Sequence, residues 1–310
     1  MPRIGMITNP HSKLNKRNPN RPHLLGYILG EQGIFEITKS ARHLEEVALK
    51  FFNSNIDILA INGGDGTVSL TISTFIRIYG TKPLPKIALL KGGTMNVTAV
   101  NLGIRGQPEK LLSILIQKSC QYDQITTQKI QSIHIGDHYG FMYADGTAAD
   151  ILNEFYRKKT GHLGAFFLGV RLWCSSLFNG SFSRSLINSR KVRLSTESTN
   201  IEHSSLGVLV STVKRLPLRM PIFHHASKDN DKSLHAISVT SKPSMLKWHL
   251  VLAIYVKKLG QTLSKNSFTC EKLTISTQKK FLYTIDGELY QSERDNVTIE
   301  KGPLIEFISL

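Results

Sequence analysis

The chain has 310 residues and 41% hydrophobic composition, enough for a sizeable core and more in keeping with two domains than one. Lys and Arg outnumber Asp and Glu by 39 to 23, and the resulting net charge of +16 favours polyanionic partners: nucleic acid, nucleotide phosphates or an anionic membrane surface. Three well-separated cysteines, Cys120, Cys174 and Cys270, form neither a disulfide framework nor a CxxC pair, which suits a reducing cytoplasm. The N-terminus lacks a signal-peptide pattern, and no apolar run approaches the roughly 20 residues of a membrane span. A cytoplasmic protein is expected, resting on a membrane at most. Aromatic residues are not interleaved with the basic clusters and no recognised motif appears, so no specific nucleic-acid partner is expected.

In chain order, residues 3–8 predict a short buried strand that breaks at Asn9-Pro10 into a basic loop reaching about Arg21. A helix over 24–32, a strand over 35–38 and a helix over 42–52 follow; Leu44, Val47, Ala48 and Phe51 have helical spacing. A strand over 56–61 runs into Gly63-Gly64-Asp65-Gly66-Thr67, and the apolar pattern of the next helix covers 70–78. A strand over 86–90 ends in a second loop, Lys91-Gly92-Gly93-Thr94-Met95-Asn96. A helix broken at Leu102-Gly103 and another over 108–117 complete residues 1–125. This alternation predicts an α/β nucleotide-binding domain, a parallel sheet with helices on both faces. Beyond it, 131–136 and 139–144 read as a hairpin turning at Gly136-Asp137. Residues 163–178 read as a buried helix, 247–263 as another. Short strands are expected at 191–194, 206–210, 235–239, 272–275, 281–285, 296–299 and 304–308. Residues 126–299 are therefore expected to form a second, β-sandwich domain.

Ligands of parallel sheets bind beyond the carboxyl ends of the strands. Asn9, Thr38, the loop from Gly63 to Thr67 and the loop from Gly92 to Asn96 all fall just after strand ends. Glycines let a backbone approach a bulky anion closely, and the N–H groups opening the next helix then point at it. The first loop is neither a P-loop, since no Gly-Lys-Ser/Thr follows, nor a GxGxxG fingerprint. In the second, Asn96 either bonds a phosphate or caps the helix. Late in the chain, Asp286 and Glu288 flank Gly287. Two residues apart on an extended backbone, their carboxylates share a side, so one can take a proton while the other orients it or holds a metal. The competing reading is a hairpin turn built on Asp-Gly.

GGDGT, then GGTMN with Leu-Gly-Ile after it, then Ile-Asp-Gly-Glu near the end, resembles the ordered signature of the diacylglycerol kinase catalytic-domain family, which includes bacterial lipid kinases and sphingosine kinases. Asn9-Pro10 resembles that family's first loop, and Thr38 its threonine at the end of the second strand. The resemblance extends from about Arg3 to Phe307. It implies two domains with the active site in the cleft between them, a last strand (300–310) returning to the first domain, ATP and Mg²⁺ as cofactors, and a lipid hydroxyl as acceptor. Carried over by position, Asn9, Thr38, Gly63, Gly64, Asp65, Gly66, Thr67, Gly93, Thr94 and Asn96 would contact the nucleotide. Glu288 would be the general base, assisted by Asp286, with Asp65 in the catalytic network.

Departures from the pattern are local. Val97 stands where Asp is frequent, and Lys13 occupies a region where glycine is usual. In the loop over 221–234, Asp231 matches a structural-magnesium aspartate, but Lys232 replaces the glycine beside it. His224 and His225 lack further ligand spacing. The leading expectation is an ATP-dependent lipid kinase acting on a diacylglycerol-like or sphingoid hydroxyl, peripheral on an anionic membrane. The alternatives are phosphorylation of a soluble acceptor, as in NAD kinases, and a non-catalytic nucleotide or lipid binder. Residues 163–178 could line a groove for an acyl chain, and plain core is the favoured reading. Neither the acceptor nor the oligomeric state has a signature in the sequence.

Overall fold

The computed structural model describes residues 2–93, 96–157, 189–213, 233–240 and 267–310. The chain divides into two compact units. Unit 1 comprises Met1–Ser132, Asp137–Gly140 and Gly302–Leu310; unit 2 comprises Ile133–Gly136 and Phe141–Lys301.

Unit 1 begins β1 (Ile4–Thr8), α1 (Lys13–Arg17), α2 (Arg21–Leu29), β2 (Gly33–Ile37), α3 (Ala41–Asn53), β3 (Ile58–Asn62) and α4 (Asp65–Tyr79). It continues β4 (Lys86–Leu89), α5 (Val97–Asn101), α6 (Pro108–Ser119), β5 (Thr127–Ile135, whose residues from Ile133 on belong to unit 2) and β6 (His138–Gly140). Strands β2-β1-β3-β4 lie side by side and parallel. Every residue of β1 and β3 is buried, as in a sheet covered on both faces. Helix α3 packs on α4 and α2 on α6. Ser40 caps α3 by accepting the His43 N–H, and Leu44, Val47, Ala48 and Phe51 form its buried stripe. Phe51 meets Phe75 of α4 edge-on at 6.4 Å. Because Thr8 pairs with both Ile37 and Asn62, the chain leaves β1, β2 and β3 at one level.

Unit 2 contains β7 (Met142–Asp145), α7 (Thr147–Arg157), β8 (Arg190–Ser195), β9 (Asn200–Ser205), β10 (Gly207–Ser211) and β11 (Leu234–Val239). It continues β12 (Ser267–Cys270), β13 (Lys272–Ser276), β14 (Leu282–Ile285), β15 (Glu288–Gln291) and the long β16 (Asn296–Ile308). Strands β12-β11-β10-β7-β14-β15 form one antiparallel sheet, and β16-β13-β8-β9 run antiparallel in another. Alternate residues of both sheets bury into a single core: Val192 and Leu194, Leu273 and Ile275, Val297 and Ile299 from one; Val208 and Val210, Leu234 and Ala236, Tyr283 and Ile285 from the other. The last residues of β16 belong to unit 1, where Phe307 pairs in parallel with Ile87 of β4.

Several expectations change. The helix after the first glycine loop starts at Asp65, not residue 70, because Gly64 is its N-cap and the polar residues Asp65, Gly66 and Thr67 make its first turn. The expected strand over 139–144 divides at Phe141: β6 pairs with β5, whereas β7 joins the other sheet between β10 and β14. The expected strands at 296–299 and 304–308 are one, continuous through Pro303, an exposed position. The expectations for 163–178, 247–263, His224, His225 and Lys232 lie outside the described residues.

Candidate active site

Three loops leave unit 1 at the carboxyl ends of β1, β3 and β4, and hydrogen bonds stitch them together. The Asn9 N–H donates to the Asn62 carbonyl at 2.9 Å, extending the ladder one residue past β1. The Asn9 side chain donates through Nδ2 to Thr67 Oγ1 (2.8 Å) and accepts the His11 N–H at Oδ1 (2.8 Å). Asn15, from α1, is 1% exposed and donates to both the Asn9 carbonyl and Asn62 Oδ1 at 2.7 Å. The Leu14 N–H reaches the Gly92 carbonyl at 3.1 Å. Thr38 is buried and its N–H donates to the Thr8 carbonyl at 3.0 Å, so it too sits at this edge.

The two glycine loops press against one another. A Cβ on Gly93 would stand 2.4 Å from the Gly64 Cα, and one on Gly92 2.8 Å from the Gly63 nitrogen. A Cβ on Gly63 would meet the Thr67 Cβ at 2.4 Å. Close approach of backbone to backbone is therefore a structural demand on these glycines, beside any approach to an anion. Asn96 stands at the N-cap position of α5, but its side chain makes no cap hydrogen bond. At φ 45 it folds back on the loop, accepting the Gly93 N–H at 3.1 Å and donating to the Gly93 carbonyl at 3.0 Å, with no side-chain cap on α5. Asp65 supplies that function: its Oδ1 accepts the Thr98 N–H at 3.4 Å. Burial pushes the Asp65 carboxyl above its ordinary range, and the N–H groups of Thr98, Val97, Asp65 itself and Asn96 oppose that shift.

The residues present fit the phosphate end of a nucleotide. The first-turn N–H groups of α4, at Asp65, Gly66 and Thr67, have no intrahelical carbonyl to bond, and the helix dipole adds partial positive charge there. Ser12 Oγ is buried without a partner and borders Gly92. A small, partly open pocket lined by Gly63, Asp65, Lys91, Asn96 and Thr98 has a volume of about 10 Å³, room for a water. Thr94 and Asp231 lie outside the described residues. Among the described residues no cluster of three or more His, Cys, Asp or Glu is placed to hold a metal ion.

In unit 2, Asp286 (φ 48) and Gly287 (φ 90) are the two loop residues of the β14–β15 hairpin, closed by Ile285 opposite Glu288. This corrects the extended backbone on which both carboxylates would share a side. The Asp286 carboxylate instead accepts the Phe141 N–H at 3.1 Å and the Met142 N–H at 2.9 Å, and its own N–H donates to the Met142 carbonyl at 2.9 Å. Glu288 opens β15 and is exposed. Tyr156 of α7 donates to the Gly287 carbonyl at 2.8 Å. Tyr290 stacks on Tyr283, and Tyr283 on Tyr143, with ring centroids 5.6 Å apart at each step.

At the base of that ladder, Asp145 is fully buried. It pairs with Arg190 at 2.6 Å and accepts from the Tyr143 hydroxyl at 2.8 Å and the Val208 N–H at 2.7 Å. A cavity of about 480 Å³ opens elsewhere in unit 2. Leu194, Ile201, Phe268, His203 and Ser238 are among its lining residues, and it adjoins β12, at the sheet edge opposite β15. Asn15 and Tyr156 carry no signal in the sequence, whereas Ser12 belongs to the loop that opens at Asn9-Pro10 and Asn62 is a polar residue ending an apolar strand before two glycines.

Residues 3–127 match the family model of the diacylglycerol kinase catalytic domain. A comparison with curated proteins finds no match. Among solved structures the fold is shared with three proteins from Bacillus anthracis str. Sterne. One is described as a diacylglycerol kinase (TM-score 0.65, 14% identity, covering 99% of this chain and 96% of that one). Two are described as candidate diacylglycerol kinases. The first has TM-score 0.71 and 15% identity, covering 99% of this chain and 94% of that one. The second has TM-score 0.67 and 16% identity, covering 99% and 97%.

Proposed function

We propose that this chain, whose residues 3–127 match a diacylglycerol kinase catalytic domain, is an ATP-dependent kinase acting on a lipid hydroxyl. The observation that carries the reading is the interlocked pair of glycine loops at the N-terminus of α4, which lies within the matched residues and fits a polyphosphate. Asn9, Thr38, Gly63, Gly64, Gly66, Thr67, Gly93, Thr94 and Asn96 would shape the nucleotide end. Asp65, already in contact with α5, would keep the two loops in register. ATP, held by these residues, would supply the γ-phosphoryl group; Mg²⁺ is implied by the family resemblance alone, since no cluster among the described residues is placed to hold it. Phosphoryl transfer otherwise needs positioning and a proton acceptor. Glu288, exposed at the start of β15, is the carboxylate free to take the acceptor's proton. Asp286 is committed to two backbone N–H groups and anchors the turn. A diacylglycerol-like acceptor is in keeping with the names of the solved neighbours, and a sphingoid hydroxyl is the second candidate. The cavity near β12 supports a chain-bearing ligand by its size and by Leu194, Ile201 and Phe268, although its edge position keeps it away from Glu288.

The charge of +16 supports docking on anionic lipid, at about 1 kcal/mol for each well-placed Lys or Arg. The test is incubation with γ-labelled ATP, Mg²⁺ and vesicles of mixed neutral and anionic lipids, beside a panel of soluble acceptors that includes NAD. Label entering the organic phase, faster at low salt, is expected. Label confined to a soluble acceptor, or no transfer at all, refutes the lipid-kinase reading.

A further inference from the structure

We propose that Tyr156 is a positioning residue: its hydroxyl, bonded to the Gly287 carbonyl, locks the turn that presents Glu288. The inference deepens the reading above and rests on Glu288 as the proton acceptor.

A two-residue hairpin loop with both residues left-handed forms without outside help. This one is held at two points. The Asp286 carboxylate is pinned by the Phe141 and Met142 N–H groups, at the start of β7. The Gly287 carbonyl is held separately by Tyr156, in the last turn of α7, a helix that packs on β7, β14 and β15. Tyr156 is 45% exposed, so its ring contributes little to a core, and its polar tip is the part engaged.

The bond falls at the one place where it bears on Glu288. The Gly287 carbonyl lies in the same rigid peptide plane as the nitrogen and Cα of Glu288. Holding that oxygen fixes the plane from which the Glu288 side chain departs. The carboxylate is also near enough to be felt by the phenols on both sides. Burial first and Glu288 second raise Tyr156, and the same two causes, in the same order, push Tyr290 up to about 12. Tyr290 is itself anchored by the stack through Tyr283 to Tyr143. A misplacement of about 1 Å in a reacting group can cost about a hundredfold in rate, so a single bond that restrains the plane can be read in turnover.

The experiment compares wild type, Tyr156→Phe and Glu288→Gln in the vesicle assay, with kcat, KM for ATP and the urea unfolding midpoint measured for each. Tyr156→Phe is expected to lower kcat about five- to tenfold, the loss of one oriented hydrogen bond, with KM for ATP and the unfolding midpoint unchanged. A kcat equal to wild type overturns the proposal. So does a loss of kcat accompanied by a raised KM for ATP or a lowered midpoint, the marks of general loosening. Wild-type turnover in Glu288→Gln overturns the assignment of the base instead. Lost turnover in Glu288→Gln with wild-type kcat in Tyr156→Phe removes the positioning role alone.

Discussion

Substituting alanine at either partner of the glycine contact tests whether the loops are built to touch. In Gly93→Ala the new methyl would lie 2.4 Å from the Gly64 Cα and 2.9 Å from Asn96 Oδ1. Carbon atoms rest about 3.5–4.0 Å apart, so the loops must part by more than about 1 Å. The obstacle is backbone, the N-cap of α4, and no flexible side-chain end can yield in its place. Overpacking of this kind costs about 1–3 kcal/mol, and straining the two Gly93–Asn96 hydrogen bonds adds about 1 kcal/mol, for a total of about 2–4 kcal/mol. In Gly64→Ala the nearest atom is the Gly93 Cα at 3.3 Å, which needs a shift of a few tenths of an ångström. Its cost should stay below about 1 kcal/mol. Urea unfolding followed by far-UV circular dichroism, at constant m, reads the difference as a shift in midpoint. If Gly93→Ala unfolds at the wild-type midpoint, or Gly64→Ala costs as much as Gly93→Ala, the loops do not need their mutual contact and the argument fails.

Three further outcomes are expected. Burial raises the Asp65 pKa, so the folded state favours the protonated acid; that contribution is complete below the ordinary value of 3.8 and is lost as pH rises through the raised one. Asp65→Asn should therefore melt at or above the wild-type temperature at neutral pH, with the gap closing on acidification, and on the proposed function it should also lower label transfer to lipid; thermal scans across pH and the vesicle assay check both. Arg190→Ala leaves the fully buried Asp145 without its cationic partner and should cost about 3–5 kcal/mol in urea unfolding. Asn15→Ala removes the donor shared by the Asn9 carbonyl and Asn62 Oδ1 and should cost about 1–3 kcal/mol, again read from the urea midpoint.

Unit 1 is legible in the sequence because its signals are local. A strand buried on both faces, such as Ile58–Asn62, is a plain apolar run, and the stripe of Ala41–Asn53 repeats every three to four residues. Edge strands carry no such mark. Asn200–Ser205 is polar and mostly exposed, and among the described residues it pairs in its sheet with β8 alone, so no apolar pattern marks it. The glycines of both loops were visible, but their mutual contact joins residues with no shared local pattern. The Asp-Gly dipeptide signals its hairpin, whereas the destination of the Asp286 carboxylate, two N–H groups at the start of β7, depends on how the sheet is threaded. Tyr156 is one aromatic residue on an amphipathic helix, and nothing in its neighbours distinguishes it from a packing side chain.

The long strand β16 also sets an order of events during synthesis. Ribosomes release the N-terminal residues first, and domains generally fold as they emerge. Unit 1 cannot finish in that way. Strand β4 gains its outer neighbour only when Phe307 reaches Ile87, after all of unit 2 has been made. Until then the apolar run Ile87, Ala88 and Leu89 borders an open edge, the kind of edge that recruits strands from other chains. A chain stopped before Gly302 keeps that edge open permanently. It should aggregate even though residues 3–127 and the sandwich core are present, and its solubility should return when a peptide spanning residues 302–310 is supplied in trans.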